Sequence, residues 1–304
     1  MDLLMSPNTF TDISAEPWLN FRNPLVRQLA FSVASPNILQ QLPPALEQRY
    51  GFDFHPTDCW LQYFDHYQSR LKHLDQHPAA LEDFLSQLKS TRLGLRFEML
   101  LWFWLTERDY HPYELLGHSI QIIDGPRTTG ELDFLLLNHD HQQVEHWEVA
   151  LKYYLAERDL SLPYWYGLNR SDTLLRKLTH FTQKQFQFQQ AQGHTIQQRF
   201  AVLKGQLYLP EHTTAQALPD WVNPERRIGT WGQHLPKNHQ DFYRLQRHEW
   251  ICPHASPSSS ANAFWSNGLY LNQDQSAFYM YRNPVLMDAC YQHYWTKSLS
   301  LNNI

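Results

Sequence analysis

The sequence predicts an α/β fold: a mixed sheet of at least four strands flanked by helices, with a helical N-terminal region and an irregular, aromatic-rich C-terminal extension. Three observations carry that expectation. Apolar residues recur at three- and four-residue steps through much of the first hundred positions, which is the helical period. Between positions 118 and 155 the period changes to two, as it does when side chains alternate across a strand. A helical stretch and one more strand then follow, so the order reads helix, three strands, helix, strand.

Each element has its own signal. Asp58 to Leu74 and Ala79 to Leu88 read as amphipathic helices, suited to a helical cap or a partner surface. Leu93 to Thr106 is apolar nearly all round, which predicts a helix buried on several sides. Glu98 stands inside it, and a carboxylate in such a place needs a partner or a use. His118 to Ile123 alternates as a short strand, and Asp124-Gly125-Pro126 stops it. Gly130 to Leu137 and Val144 to Leu155 are stronger strands, separated by the polar turn Asn138 to Gln143. Turn formers crowd Pro163 to Arg170. A helix is then expected from Ser171 or Asp172, either of which suits an N-cap, to about Gln190, with Leu174, Leu178 and Phe181 along one side and Gly193 ending it. Phe200 to Leu209 is a further strand. Beyond Pro210 the pattern weakens: His248 to Cys252 and Ala277 to Tyr281 read as strands, and Ala255 to Ala261 as a flexible loop. The expected divisions are a helical region at 1–90, an α/β core at 91–210 and an extension packed on it at 211–304.

The bulk properties narrow the class. At 304 residues and 42% hydrophobic, the chain can bury a sizeable core. Cys59, Cys252 and Cys290 are far apart and lack CxxC spacing, which argues against a disulfide framework or a zinc ribbon and fits a reducing cytosol. Met1 to Pro7 has no basic residue followed by a long apolar run, and Met99 to Leu105 is too short to cross a bilayer. The expectation is a soluble cytoplasmic protein without a membrane partner. The net charge of −5 does not advertise polyanion binding, but it is unevenly spread. Residues 1–160 carry 12 basic and 22 acidic side chains and residues 161–304 carry 13 and 8, so phosphate contacts would come from the second half. Among the 17 histidines, His248 and His254 with Cys252 match no strong zinc template. No GxxxxGK or GxSxG element is present.

The chemistry concentrates in the hairpin. Alternation places Glu131 and Asp133 on one face of the first strand, and Glu148, Ala150 and Lys152 on one face of the second. A symmetric turn between Asp140 and His141 pairs residues whose numbers sum to 281, which sets Asp133 opposite Glu148. Two carboxylates directly opposite repel. A hard divalent cation, Mg²⁺ or Mn²⁺, offsets that repulsion because one or two carboxylates commonly hold it. Lys152, on the same face, would stabilise developing negative charge or orient a water. Such a set suits metal-assisted phosphodiester hydrolysis. The plain alternative is an exposed polar hairpin face above an apolar one.

These residues, in this order of elements, resemble the common core of PD-(D/E)XK nucleases over about Leu93 to Leu209. The resemblance implies that Asp133 and Glu148 bind metal, that Glu98 matches the glutamate many members carry on the first core helix, and that a lysine follows the second acid. It also implies that Lys177, Lys184 and Gln185 on the next helix approach substrate, DNA or RNA. The family pattern keeps one residue between the acid and the lysine, where Ala150 stands; Lys152 lies one pleat, about 6.6–6.8 Å, further on. Arg92-Leu93-Gly94 with Phe97-Glu98, Thr129 to Asp133, and His146-Trp147-Glu148 with Ala150 and Lys152 are also similar to a family of bacterial proteins without a settled function. Two functions follow as expectations: a metal-dependent nuclease, or a nuclease-like fold that serves as a binding or assembly module without catalysis.

Overall fold

A computed structural model of the chain describes residues 16–213, 217–260 and 264–283. The segment 1–7 read against a signal peptide, Ala261 at the end of the expected loop, and Cys290 lie outside them.

The N-terminal region is helical, as its periodicity predicts. Helix α1 (Pro24–Ala34) starts cleanly because the Asn23 side chain accepts from the Leu25 and Val26 N–H groups and Pro24 takes a first-turn position where its missing N–H costs nothing. Helices α2 (Thr57–Gln76), α3 (Ala79–Ser86) and α4 (Leu93–Thr106) follow. Strands β1 (Tyr113–Asp124), β2 (Arg127–Asn138) and β3 (Gln143–Ala156) then form an antiparallel meander, each longer than its alternating segment. The short β4 (Trp165–Tyr166) pairs with the end of β3.

Helix α5 (Leu174–Gln183) is shorter than the sequence suggests. Its N-cap is Thr173, whose hydroxyl accepts from the Arg176 N–H at 3.1 Å, and not Ser171 or Asp172. The helix gives way to a 3₁₀ turn, Gln185–Gln187, and Gly193 does not end it. Gly193 instead turns a two-residue hairpin, β5 (Gln190–Ala191) and β6 (His194–Thr195), with a φ of 82°. Strand β7 (Gln198–Pro210) runs parallel to β3.

The extension continues the same sheet. Strand β8 (Gly229–Gly232) pairs parallel with β7, and β9 (Phe242–Arg244), β10 (Gly268–Asn272) and β11 (Phe278–Tyr281) complete the order β1-β2-β3-β7-β8-β11-β10-β9. With β4 the sheet has nine strands, mixed in direction. The expected strand at His248 to Cys252 is a 3₁₀ turn, Arg247–Trp250. The reason is local: the Glu249 carboxylate accepts from the Gln246 N–H at 2.7 Å in a capping box, which curls the chain. Residues 255–260 have no regular structure.

Helices cover both faces of the sheet, the layering expected of an α/β fold. Alternation along β3 divides its side chains between them. Trp147, Leu151 and Tyr153 join the core under α1 to α4, where Trp60 and Trp104 pack against Trp147 at centroid distances of 5.8 and 6.5 Å. Ala150 and Tyr154 join the opposite core with Leu174, Leu178 and Phe181 of α5. Glu148 and Lys152 therefore stand on the α5 side. Gly205 of β7 pairs with Lys152 at a φ of 125°, and a Cβ there would strike the Lys152 backbone, so only glycine lets the two strands close at this point. Among the described residues no helix is long and apolar enough to cross a membrane.

Candidate functional site

The β2–β3 ladder has the register the turn predicts. Phe134 pairs with Trp147, Leu135 with His146 and Leu136 with Glu145. Pairing ends there, one step before Asp133 and Glu148, and the strands part. Beyond that point Asp133 takes over the role of a backbone acceptor, and its Oδ2 accepts from the Val149 N–H at 2.8 Å. At the opening Asp133 and Glu148 lie close enough that each shifts the other's titration.

Glu148 is fully buried. His146, two residues earlier on the same face, donates from Nε2 to Glu148 Oε1 at 2.8 Å. Burial, with Arg199 nearby, holds the His146 ring down at about 3, so it is neutral in this contact. The other oxygen, Oε2, accepts from Gln185 Nε2. Gln185 Oε1 accepts in turn from Lys177 Nζ at 3.0 Å. The 3₁₀ turn after α5 thus couples the helix lysine to the strand carboxylate.

The charges of this cluster are shifted together. Burial raises Asp133 well above the usual carboxylate range, and the Glu148 and Glu98 charges push it further. Burial likewise pushes Glu148 up to about 8, against the pull of Lys177. Burial lowers Lys177 to about 8 although both carboxylates favour its charge. Two acids and a lysine are thus drawn toward neutrality in one place, a pattern that functional sites and structural ion-pair networks share.

Glu98, on α4, acts on Asp133 through its charge. Its Oε1 is held by His118 Nε2 at 2.8 Å and by the Ser119 hydroxyl at 3.3 Å, both from β1. Trp102 stacks on the His118 ring at 4.1 Å. The odd carboxylate in an apolar helix has both a partner and a position from which its charge reaches Asp133.

Lys152 is placed differently from its sequence reading. It shares the Glu148 face, but its Nζ donates to Asp172 Oδ2 at 2.6 Å, at the approach to α5. One pleat beyond the position next to Glu148, it meets the loop carboxylate before it meets the pair. Lys177 is the cation that both Asp133 and Glu148 feel. Of the other candidates, Gln185 bonds Glu148 directly, Lys184 is exposed at the end of α5, and Glu131 is exposed near the cluster. Sequence reasoning missed His146, His118 and Asp172. Alternation alone could have found His146, which precedes Glu148 by two; the other two needed tertiary placement. Cys252 is buried with its thiol toward the Pro253 carbonyl, and His254 lies 3.5 Å from Glu249.

The shifted carboxyl gives a pH dependence. A group whose folded pKa is raised contributes stability that is complete below its ordinary value and is lost as pH rises through the folded value. For Glu148 that window runs from the ordinary 4.5 up to about 8, and Asp133 acts in the same sense. His146, lowered from 6.5 to about 3, loses its contribution only as pH falls below 6.5. Lys177, lowered from 10.5 to about 8, acts mainly above 8. Between pH 6.5 and 8, in chelator, the melting temperature of the wild type should therefore fall. Glu148→Gln should flatten that fall, and equal slopes in thermal melts of the two proteins would contradict the raised Glu148 carboxyl.

Comparison with curated proteins and with solved structures gives no match. Residues 27–297, which include every residue of this site, match the model of a domain of unknown function, DUF1853, and the chain belongs to that family.

Proposed function

We propose that the protein is a metal-dependent phosphodiesterase of the PD-(D/E)XK nuclease type, acting on DNA or RNA. The observation that supports this best is the pair Asp133 and Glu148: a half-buried and a fully buried acid brought together where the strands part, with a lysine whose charge acts on both. Neither apolar packing nor hairpin stability calls for that arrangement, since each acid opposes the other's charge. The donor set is all oxygen, which fits Mg²⁺ or Mn²⁺. Asp133 and Glu148 would hold the ion, with Glu98 assisting from α4. When bound, such a cation supplies charge stabilisation to the attacking and leaving oxygens.

The side chains divide the remaining work. His146 and Gln185 fix both oxygens of Glu148, so the carboxylate is oriented before substrate arrives. Lys177 sets its ammonium against the charge that develops as water adds to phosphorus and a P–O ester bond breaks. Lys152, tied to Asp172, supports the floor of the site. Lys184 and other cations of the second half would meet the phosphate backbone.

The test is cleavage. Purified protein with Mn²⁺ should cut a nucleic acid from a panel of single- and double-stranded DNA and RNA, and chelator should stop it. Glu148→Gln, which keeps shape and removes charge, should abolish cutting in a folded protein. Metal binding without cleavage of any substrate would move the reading to a nuclease-like module that binds without catalysis.

A further inference from the structure

The ends of β7 and β8 bring together ligating side chains that the hairpin site does not use. Glu211 and His212 immediately follow the last residue of β7, and His234 lies two residues past the end of β8. The two strands are parallel, so both loops leave the sheet at the same edge. One ligand atom from each of Glu211, His212 and His234 lies within 4.8 Å of the others. Glu211 is half-buried and the two imidazoles are exposed.

Three contacts hold this arrangement from beneath. The Glu211 N–H donates to the Trp231 carbonyl at 2.8 Å, which pins the first loop to β8. The Tyr279 hydroxyl of β11 lies 2.7 Å from both Glu211 Oε2 and the His234 carbonyl, bridging the two loops. Gly232 leaves the necessary room, because a Cβ there would lie 2.5 Å from Glu211 Oε2 and would also strike the Tyr279 hydroxyl.

We propose that Glu211, His212 and His234 form a binding site for a divalent transition metal of the zinc type. Two imidazoles and a carboxylate suit zinc and its neighbours, whereas Mg²⁺ and Ca²⁺ favour oxygen donors throughout. Donors around a tetrahedral Zn²⁺ at about 2.0–2.1 Å stand roughly 3.4 Å apart, so closure needs about an ångström of side-chain rotation. Exposed imidazoles supply that rotation freely. Tyr279 bonds the ligating carboxylate from behind, the kind of support that orients a metal ligand. The open side leaves a coordination position to solvent. The site is independent of the hairpin cluster, which lies along the middle of β3.

The experiment titrates Zn²⁺ into chelator-stripped full-length protein against a chromophoric chelator, with Co²⁺ absorption as a second readout. One tight equivalent is expected that survives Glu148→Gln, with a Co²⁺ spectrum intense enough to mark imidazole ligation. The double change His212→Ala with His234→Ala should remove that equivalent. Tyr279→Phe should weaken it by roughly 10–100-fold. His234→Gln, a milder surface change, should weaken it also. Unchanged zinc affinity in the double variant, or only loose binding of several equivalents in the wild type, would overturn the assignment.

Discussion

Replacing Lys177 with alanine should slow Mn²⁺-dependent cleavage by about 10²–10³-fold, the loss typical of one preorganised charge-stabilising group. Lys152→Ala should change the rate by less than about tenfold, since a half-exposed ion pair contributes little. The contrast follows from where the two ammonium groups are held. Lys177 is half-buried, feels both Asp133 and Glu148, and is fixed through Gln185. Lys152 is engaged by Asp172, and its side chain is about a quarter exposed. Rates measured with both variants at saturating Mn²⁺ separate the two lysines. Equal losses would mean that both face the reacting phosphate, and a severe loss for Lys152 alone would restore its reading from the strand.

The second large effect is on stability. Without a cation, Asp133 and Glu148 sit together only with their carboxyls shifted toward the protonated form, so an ion that binds only the folded protein should raise the melting temperature. At a concentration 100 times the dissociation constant the gain is about 2.7 kcal/mol, or several degrees for a chain of this size. Asp133→Asn, which removes one of the two raised carboxyls, should start from a melting temperature at least as high in chelator and should respond little to Mg²⁺. An identical Mg²⁺ response in Asp133→Asn and wild type would place the ion elsewhere.

The parts of this fold that were legible in the sequence were the local ones. Alternation and a polar turn fixed the β2–β3 register, and that register brings Asp133 toward Glu148. The all-apolar face pattern of α4 marked both its burial and the anomaly of Glu98. What escaped was set by tertiary placement or by side-chain capture. The 3₁₀ turn at Arg247–Trp250 follows from one carboxylate closing on one backbone N–H, which no periodicity announces. That Lys152 meets Asp172 while Lys177 faces the two acids depends on where α5 lies over β3 and on Asp172 standing at its approach. His118 reaches Glu98 only because α4 packs beside β1. The C-terminal strands joined the main sheet through parallel pairing with β7, a long-range contact that short apolar runs do not specify.

The most direct test of the central claim is an anomalous-scattering map from crystals of the protein soaked in Mn²⁺. The account predicts a peak between the carboxylates of Asp133 and Glu148, on the side facing Lys177 and within reach of Glu98. A map with Mn²⁺ only at Glu211, His212 and His234, or with none on the protein, would contradict it.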